Sequence, residues 1–238
     1  MPQHARRLKI RRKDLRKPDE FETLTGQAVA WANEHLPIVY GVLAVVLLVM
    51  IGGLALGRWR ASQNEAASIA FRSGQGRFAA GKFPEAAEEF AYVLDHYPHT
   101  SYGRIAGLYR GHALARQGDP AGAVTVYGEF LAHAPAIDYL RQEALLGLGR
   151  AKEATGDAAG ALEAYTQASA LLGPYHTDAL LNAARLEEAA GQADKARQTY
   201  ASLLKEATDP EVKALAAAKA PGAASGSGEV DEGTEETE

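Results

Sequence analysis

The chain of 238 residues contains no cysteine, only two methionines and two tryptophans, and is 8% aromatic. Without cysteine there is no disulfide and no thiolate metal site, although that absence fits a reducing and an oxidising compartment equally well. Also missing are a His-Glu-x-x-His pair, a phosphate-binding loop, a dinucleotide fingerprint and a nucleophile elbow. No enzyme chemistry is therefore expected, and no catalytic, cofactor-binding or metal-ligating residue is assigned. His96 and His99 flank Tyr97-Pro98 with only Asp95 nearby as a further donor, which reads as a connector between helices rather than a metal site.

Charge is absent in one further place. The 22 residues from Leu36 to Gly57, LPIVYGVLAVVLLVMIGGLALG, include no Asp, Glu, Lys or Arg. At about 1.5 Å per helical residue the run reaches roughly 33 Å, enough to cross a hydrocarbon core of about 30 Å. Pro37 suits a helix start, and Tyr40 and Trp59 stand where amphipathic rings favour headgroup depth. The first 17 residues hold eight basic residues against the single acid Asp14, while only Arg58 and Arg60 are basic between the run and Glu65. That imbalance predicts a cytoplasmic amino terminus and, in a bacterium, a periplasmic carboxyl-terminal part on the inner membrane. A cleaved signal sequence is the competing reading, with Ala55 and Gly57 as its small-residue pattern. It sits poorly with a leader of 35 residues containing five acids and with so long an apolar run.

The expected organisation is a basic cytoplasmic tail over 1-18, an amphipathic interfacial helix over 19-35, a transmembrane helix over 36-57, a repeat domain over 61-219 and an acidic disordered tail over 220-238. Phe21, Leu24, Ala28, Trp31 and His35 recur at three- and four-residue spacing, as one helix face would require. The basic tail either sets topology alone or also touches anionic headgroups. Nucleic acid is an unfavoured partner, since no aromatic residue is interleaved among residues 1-17 for base stacking. Gly53 and Gly57 form a small-xxx-small pair that could pack a second helix, so a homo-oligomer stays open.

Beyond Arg60 the sequence repeats. Gly81, Gly118, Gly156 and Gly191 lie 37, 38 and 35 residues apart; each is followed five residues later by alanine (Ala86, Ala123, Ala161, Ala196) and nine residues later by an aromatic (Phe90, Tyr127, Tyr165, Tyr200). Glycine ends a helix in the left-handed region at little cost, alanine permits close helix approach, and the aromatic is expected to fill the gap toward the next pair. Seven residues before the glycines stand the small residues Gly74, Gly111, Gly149 and Ala184, while Pro98, Pro135, Pro174 and Pro210 are expected to end the second helices. The unit is a helical hairpin repeated four times, so the fold class is all-α.

These positions resemble the tetratricopeptide repeat over about Ala66 to Pro210, with its small eighth residue, glycine near the fifteenth, alanine at the twentieth and aromatic at the twenty-fourth. The aromatic usual at the fourth position is replaced by Ala70, Gly107, Leu145 and Leu180, and the repeats exceed the family's usual 34 residues by one to four. With a short basic tail, one span preceded by Trp31-Ala-Asn-Glu-His35, and a repeat domain of this size, the chain resembles the membrane-anchored bacterial family that includes the ancillary subunit of the Sec translocon. That resemblance implies periplasmic repeats beside the export channel, with exported chains or periplasmic chaperones as partners.

In such an array the first helix of each pair lines a groove. The register puts there Phe71, Gln75 and Phe78, then Leu108, His112 and Arg116, then Leu146, Arg150 and Glu153, then Leu181, Arg185 and Glu188. Phe71, Phe78, Leu108, Leu146 and Leu181 are expected to supply apolar contact, and Arg116, Arg150 and Arg185 to select among partners. The row Gln75, His112, Arg150, Arg185 either grips carboxylates of an extended peptide or is a solvated face. From Pro221 onward the tail carries six acids and no base, so it either keeps the chain soluble or competes for the arginine row. The function expected is a membrane-anchored adaptor for proteins or peptides, in export or envelope assembly. The alternative is a self-associating scaffold of a secretion or cell-division complex.

Overall fold

The computed structural model describes residues 20–134 and 137–221, with side chains from residue 25 onward. The basic tail over 1-18, Phe21 and Leu24 of the apolar stripe, Pro135 and the acids of the carboxyl-terminal tail lie outside the described residues or side chains. Among the described residues there are ten α-helices and no strand: α1 (Glu20–Glu34), α2 (Leu36–Ala79), α3 (Phe83–His96), α4 (Gly103–Gln117), α5 (Pro120–His133), α6 (Asp138–Ala154), α7 (Ala158–Ser169), α8 (His176–Ala189), α9 (Ala193–Glu206) and α10 (Pro210–Lys219). Two compact units divide the chain, residues 1–59 and 60–238.

In the first unit, α1 is followed by a turn at His35, whose ring stacks on Trp31 at 4.7 Å. The apolar run forms the first part of α2, a helix long and apolar enough to cross a membrane, with none of its apolar window buried. Gly53 and Gly57 have open space where a Cβ would stand. The helix does not stop after Gly57 but runs on to Ala79. Nothing between Arg58 and Phe78 would interrupt it, since that stretch has no proline and no capping glycine until Gly81.

In the second unit, the end of α2 and α3 to α10 form hairpins in which consecutive helices pack side by side. Gly81, Gly118, Gly156 and Gly191 have φ of 75°, 91°, 84° and 72°, the left-handed region in which a Cβ is strained, and each closes the first helix of a pair. Asp119 and Asp157, the next residues in two of the turns, then start the second helix: their carboxylates accept from the N–H groups of Gly122 and Gly160 at 2.9 Å.

The aromatic of each repeat turns back on its own pair. A Cβ added to Gly74 would stand 2.8 Å from Phe90, and at Gly149 2.5 Å from Tyr165, so the small residue exists to seat that ring. Tyr127 does both jobs, since Gly111 of its own pair and Gly147 of the next each lie against its ring, with 2.5 Å to an added Cβ. Tyr127 thus fills the gap toward the next pair as expected, and the contact of the rings with their own pair adds to that expectation. Pro210 also differs from expectation: it opens α10 behind the cap Asp209, whose carboxylate accepts from Glu211 N–H at 2.8 Å, rather than closing α9.

Candidate functional site

A groove of about 450 Å³ opens along the first helices of the pairs, lined by Phe78 of α2, His112, Ala115 and Arg116 of α4, Tyr127 of α5, Glu143, Leu146, Gly147 and Arg150 of α6, and Tyr175 and Asp178 at the start of α8. Five of the residues placed in a groove by register, Phe78, His112, Arg116, Leu146 and Arg150, meet there.

The expected apolar floor is mostly not a surface. Phe71 and Leu108 are 3% and 0% exposed, inside the first core cluster, with Phe71 edge-on to Tyr109 at 4.9 Å. Close helix packing encloses them, which corrects the expectation that they offer contact area. Leu146 is also buried, although its edge lines the groove. Leu181 packs against the cluster built by α8, α9 and α10, away from that cavity. Phe78 remains available, half-buried beside Phe83 at 5.2 Å, with the Arg116 guanidinium 4.9 Å above the Phe83 ring.

The polar positions form a ladder from one first helix to the next. His112 of α4 lies 3.1 Å from Glu143 of α6; Glu153 of α6 meets Arg185 of α8 at 2.6 Å; Glu188 of α8 meets Lys219 of α10 at 2.6 Å. The repeat tyrosine supports each rung from below: Tyr127 Oη lies 2.7 Å from His112 Nδ1, Tyr165 donates to Glu153 at 2.7 Å, and Tyr200 donates to Glu188 at 3.4 Å. Burial and the neighbouring Glu143 charge push the Tyr127 hydroxyl up, against the lowering pull of Arg150. Burial also raises the Glu153 carboxyl, yet the hydrogen bonds from Arg185 and Tyr165 together with the Arg185 and Arg150 charges outweigh it and hold the group below its ordinary value.

Arg185 is thus engaged with Glu153 through both carboxylate oxygens, at 2.7 and 2.6 Å, and is not the free gripping group expected of it. Arg150 differs. It is exposed, lines the groove, and has no ion-pair partner among the described residues. Gln75 is exposed on α2 outside that cavity's lining. Glu143 and Asp178 were not foreseen, although each stands one helical turn before a foreseen residue, Leu146 and Leu181, and the three-residue helical spacing would have found them. Among the described residues no group of three or more His, Asp or Glu side chains could hold a metal ion.

Comparison with known proteins agrees with this geometry. The model for the tetratricopeptide repeat-like domain matches residues 30–172, and that for the tetratricopeptide repeat matches residues 152–219. No curated protein matches the chain. Two crystal structures of MamA share the fold: one is 21% identical, covering 65% of this chain and 82% of that one at a TM-score of 0.50, the other 22% identical, covering 61% and 82% at 0.50. Stacked hairpins of this kind present extended surfaces to other proteins and act as interaction scaffolds. The chain belongs to the tetratricopeptide repeat-like family.

Proposed function

We propose that the protein is a single-span adaptor of the bacterial inner membrane whose periplasmic repeats hold protein segments in the groove, in protein export beside the Sec translocon or in envelope assembly. The observation that carries the binding part is Arg150, an exposed cation of the groove without an ion-pair partner among the described residues, while the ladder groups His112, Glu143, Glu153, Arg185, Glu188 and Lys219 are paired. An acidic side chain of a bound segment would pair with it, and Phe78 on the same groove would supply an apolar contact to that segment.

Membrane anchoring is supported by the charge-free run and by its exposure: Leu43, Leu48 and Ile51 of α2 are 52%, 69% and 61% exposed, and at about 1.5–3 kcal/mol per large aliphatic side chain such a helix in water would be strongly disfavoured. Photoreactive residues at Ala115 in the groove and at Gly53 in the apolar run, introduced in cells with identification of what each captures, test the two halves separately. Ala115 is exposed and lines the groove, and its replacement leaves Arg150 in place. Capture of translocon subunits or exported chains is expected; capture of cytosolic proteins alone would refute the placement. A reporter enzyme fused after residue 210 supplies the topology.

A second reading, self-association as a scaffold, is favoured by the open space beside Gly53 and Gly57. Mass measurement of the solubilised protein separates a monomeric adaptor from it.

A further inference from the structure

The helices of the repeat unit alternate in direction, so their connections fall alternately on two edges. The glycine turns share one edge. The links from each second helix to the next first helix, between α3 and α4, α5 and α6, α7 and α8, and α9 and α10, share the other. The edges differ in chemistry. After the four glycines come Lys82, Asp119, Asp157 and Gln192, with no exposed large apolar side chain beside them among the described residues. The opposite edge carries Leu172, Tyr139 and Ile137 at 87%, 51% and 41% exposure, and Tyr92 near the end of α3 at 43%. Four of the six exposed large apolar side chains described in this unit, the others being Ile69 and Leu215, therefore fall on one edge.

Single exposed apolar residues are ordinary, but here the display is built. Gln142, fully buried, donates through Nε2 to the carbonyls of Ala168 at 3.1 Å and Leu171 at 2.9 Å, and its Oε1 accepts from Tyr175 N–H at 3.0 Å. A core side chain thus spends three hydrogen bonds on holding the loop that carries Leu172 outward. Slackness does not explain the exposure.

This is also the edge at which the chain enters the repeats. Asn64, in the first turn of the repeat part of α2, accepts from Ser101 N–H of the α3–α4 link at 3.3 Å. Only Arg58 and Trp59 separate the apolar run from this unit, which begins at Arg60.

Resting on the membrane reading above, we propose that this edge of the repeats is a lipid-contact surface, with Leu172, Ile137 and Tyr139 inserted at headgroup depth. Tyrosine and leucine suit that zone, where an amphipathic ring keeps its hydroxyl wet. The links and the helix turns beside them carry Asp95, Asp138, Asp178, Glu206, Asp209 and Glu211 against Arg104, Arg141, Lys205 and Lys213, so the edge has no basic excess, and the contact is by apolar insertion. It should therefore survive high salt, unlike the screened attraction of a polybasic patch.

Because the chain has no cysteine, one introduced thiol can carry a spin label at a chosen position. The full chain, reconstituted in phosphatidylcholine vesicles with a minor phosphatidylglycerol fraction, is labelled at Leu172→Cys, Tyr139→Cys, Gln192→Cys on the glycine edge, and Val46→Cys inside the apolar run. Relaxation by oxygen, which favours lipid, is compared with relaxation by a water-soluble nickel chelate. The oxygen-to-nickel ratio at 172 and 139 is expected several-fold above that at 192, in low and high salt alike. Labels at 172 and 139 that match 192 while 46 reads as lipid would overturn this inference alone. A water-like reading at 46 would overturn the membrane reading and this one with it.

Discussion

Arg185 of α8 grips Glu153 of α6 through both carboxylate oxygens, at 2.7 and 2.6 Å, and Tyr165 donates to the same carboxylate from the helix between. The contact ties two successive hairpins together and takes Arg185 out of the arginines open to a partner, leaving Arg150 and Arg116, the latter over the Phe83 ring, without an ion pair among the described residues. Since the Arg185 side chain is 51% exposed and the Glu153 side chain 25%, the pair contributes modestly, about 0.5–1 kcal/mol. Arg185→Ala should lower the free energy of unfolding by that much, read from the denaturation midpoint. Arg150→Ala should leave stability within about 0.5 kcal/mol while weakening capture of acidic segments. Equal stability losses for the two would contradict the assignment of roles.

The same contact sets a pH dependence. The Glu153 carboxyl titrates below its ordinary 4.5 in the folded chain, so its contribution is complete above that value and fades as pH falls through the folded pKa. In Glu153→Gln that contribution is missing at neutral pH. The stability gap between wild type and Glu153→Gln should therefore be largest near neutrality and narrow below about pH 4.5, as read from denaturant midpoints across pH.

Glycines within helices divide into two groups. A Cβ at Gly149 would stand 2.5 Å from the fully buried ring of Tyr165, whereas at Gly128 nothing lies within 4 Å. Gly149→Ala should destabilise by about 1–3 kcal/mol through overpacking. Gly128→Ala, in the middle of α5, should stabilise by about 0.5–1 kcal/mol because alanine loses less backbone entropy. Thermal unfolding of both variants checks the opposite signs.

Gln142 is a fully buried polar group of the core with three hydrogen bonds. Gln142→Leu fits a similar volume but leaves the carbonyls of Ala168 and Leu171 and the N–H of Tyr175 without this partner. A loss of about 2–4 kcal/mol is expected, with faster amide exchange at Tyr175 before global unfolding.

Much of this architecture was readable in one dimension. The four glycines announced the hairpins because a left-handed helix end has few other solutions, and the small residue seven positions earlier announced where a ring must sit. The groove was harder to read. Register alone placed Phe71, Leu108 and Leu146 on a surface, yet a helix face has no fixed boundary between lining and core, and burial depends on how closely the neighbouring helices pack. Likewise Arg150 and Arg185 occupy equivalent positions in the sequence; only the neighbouring Glu153 distinguishes them.

What the amino-acid order determined by itself was local and periodic: a charge-free segment long enough for a bilayer, four helical hairpins and their turns, since each depends on residues within about one repeat of one another. What only the folded chain decided was which groups at equivalent positions are paired, which are enclosed and which stand exposed. Gln142 and Tyr175 are 33 residues apart in the chain and 3.0 Å apart in space. Such contacts follow from the packing of whole hairpins, and no short window of sequence contains them.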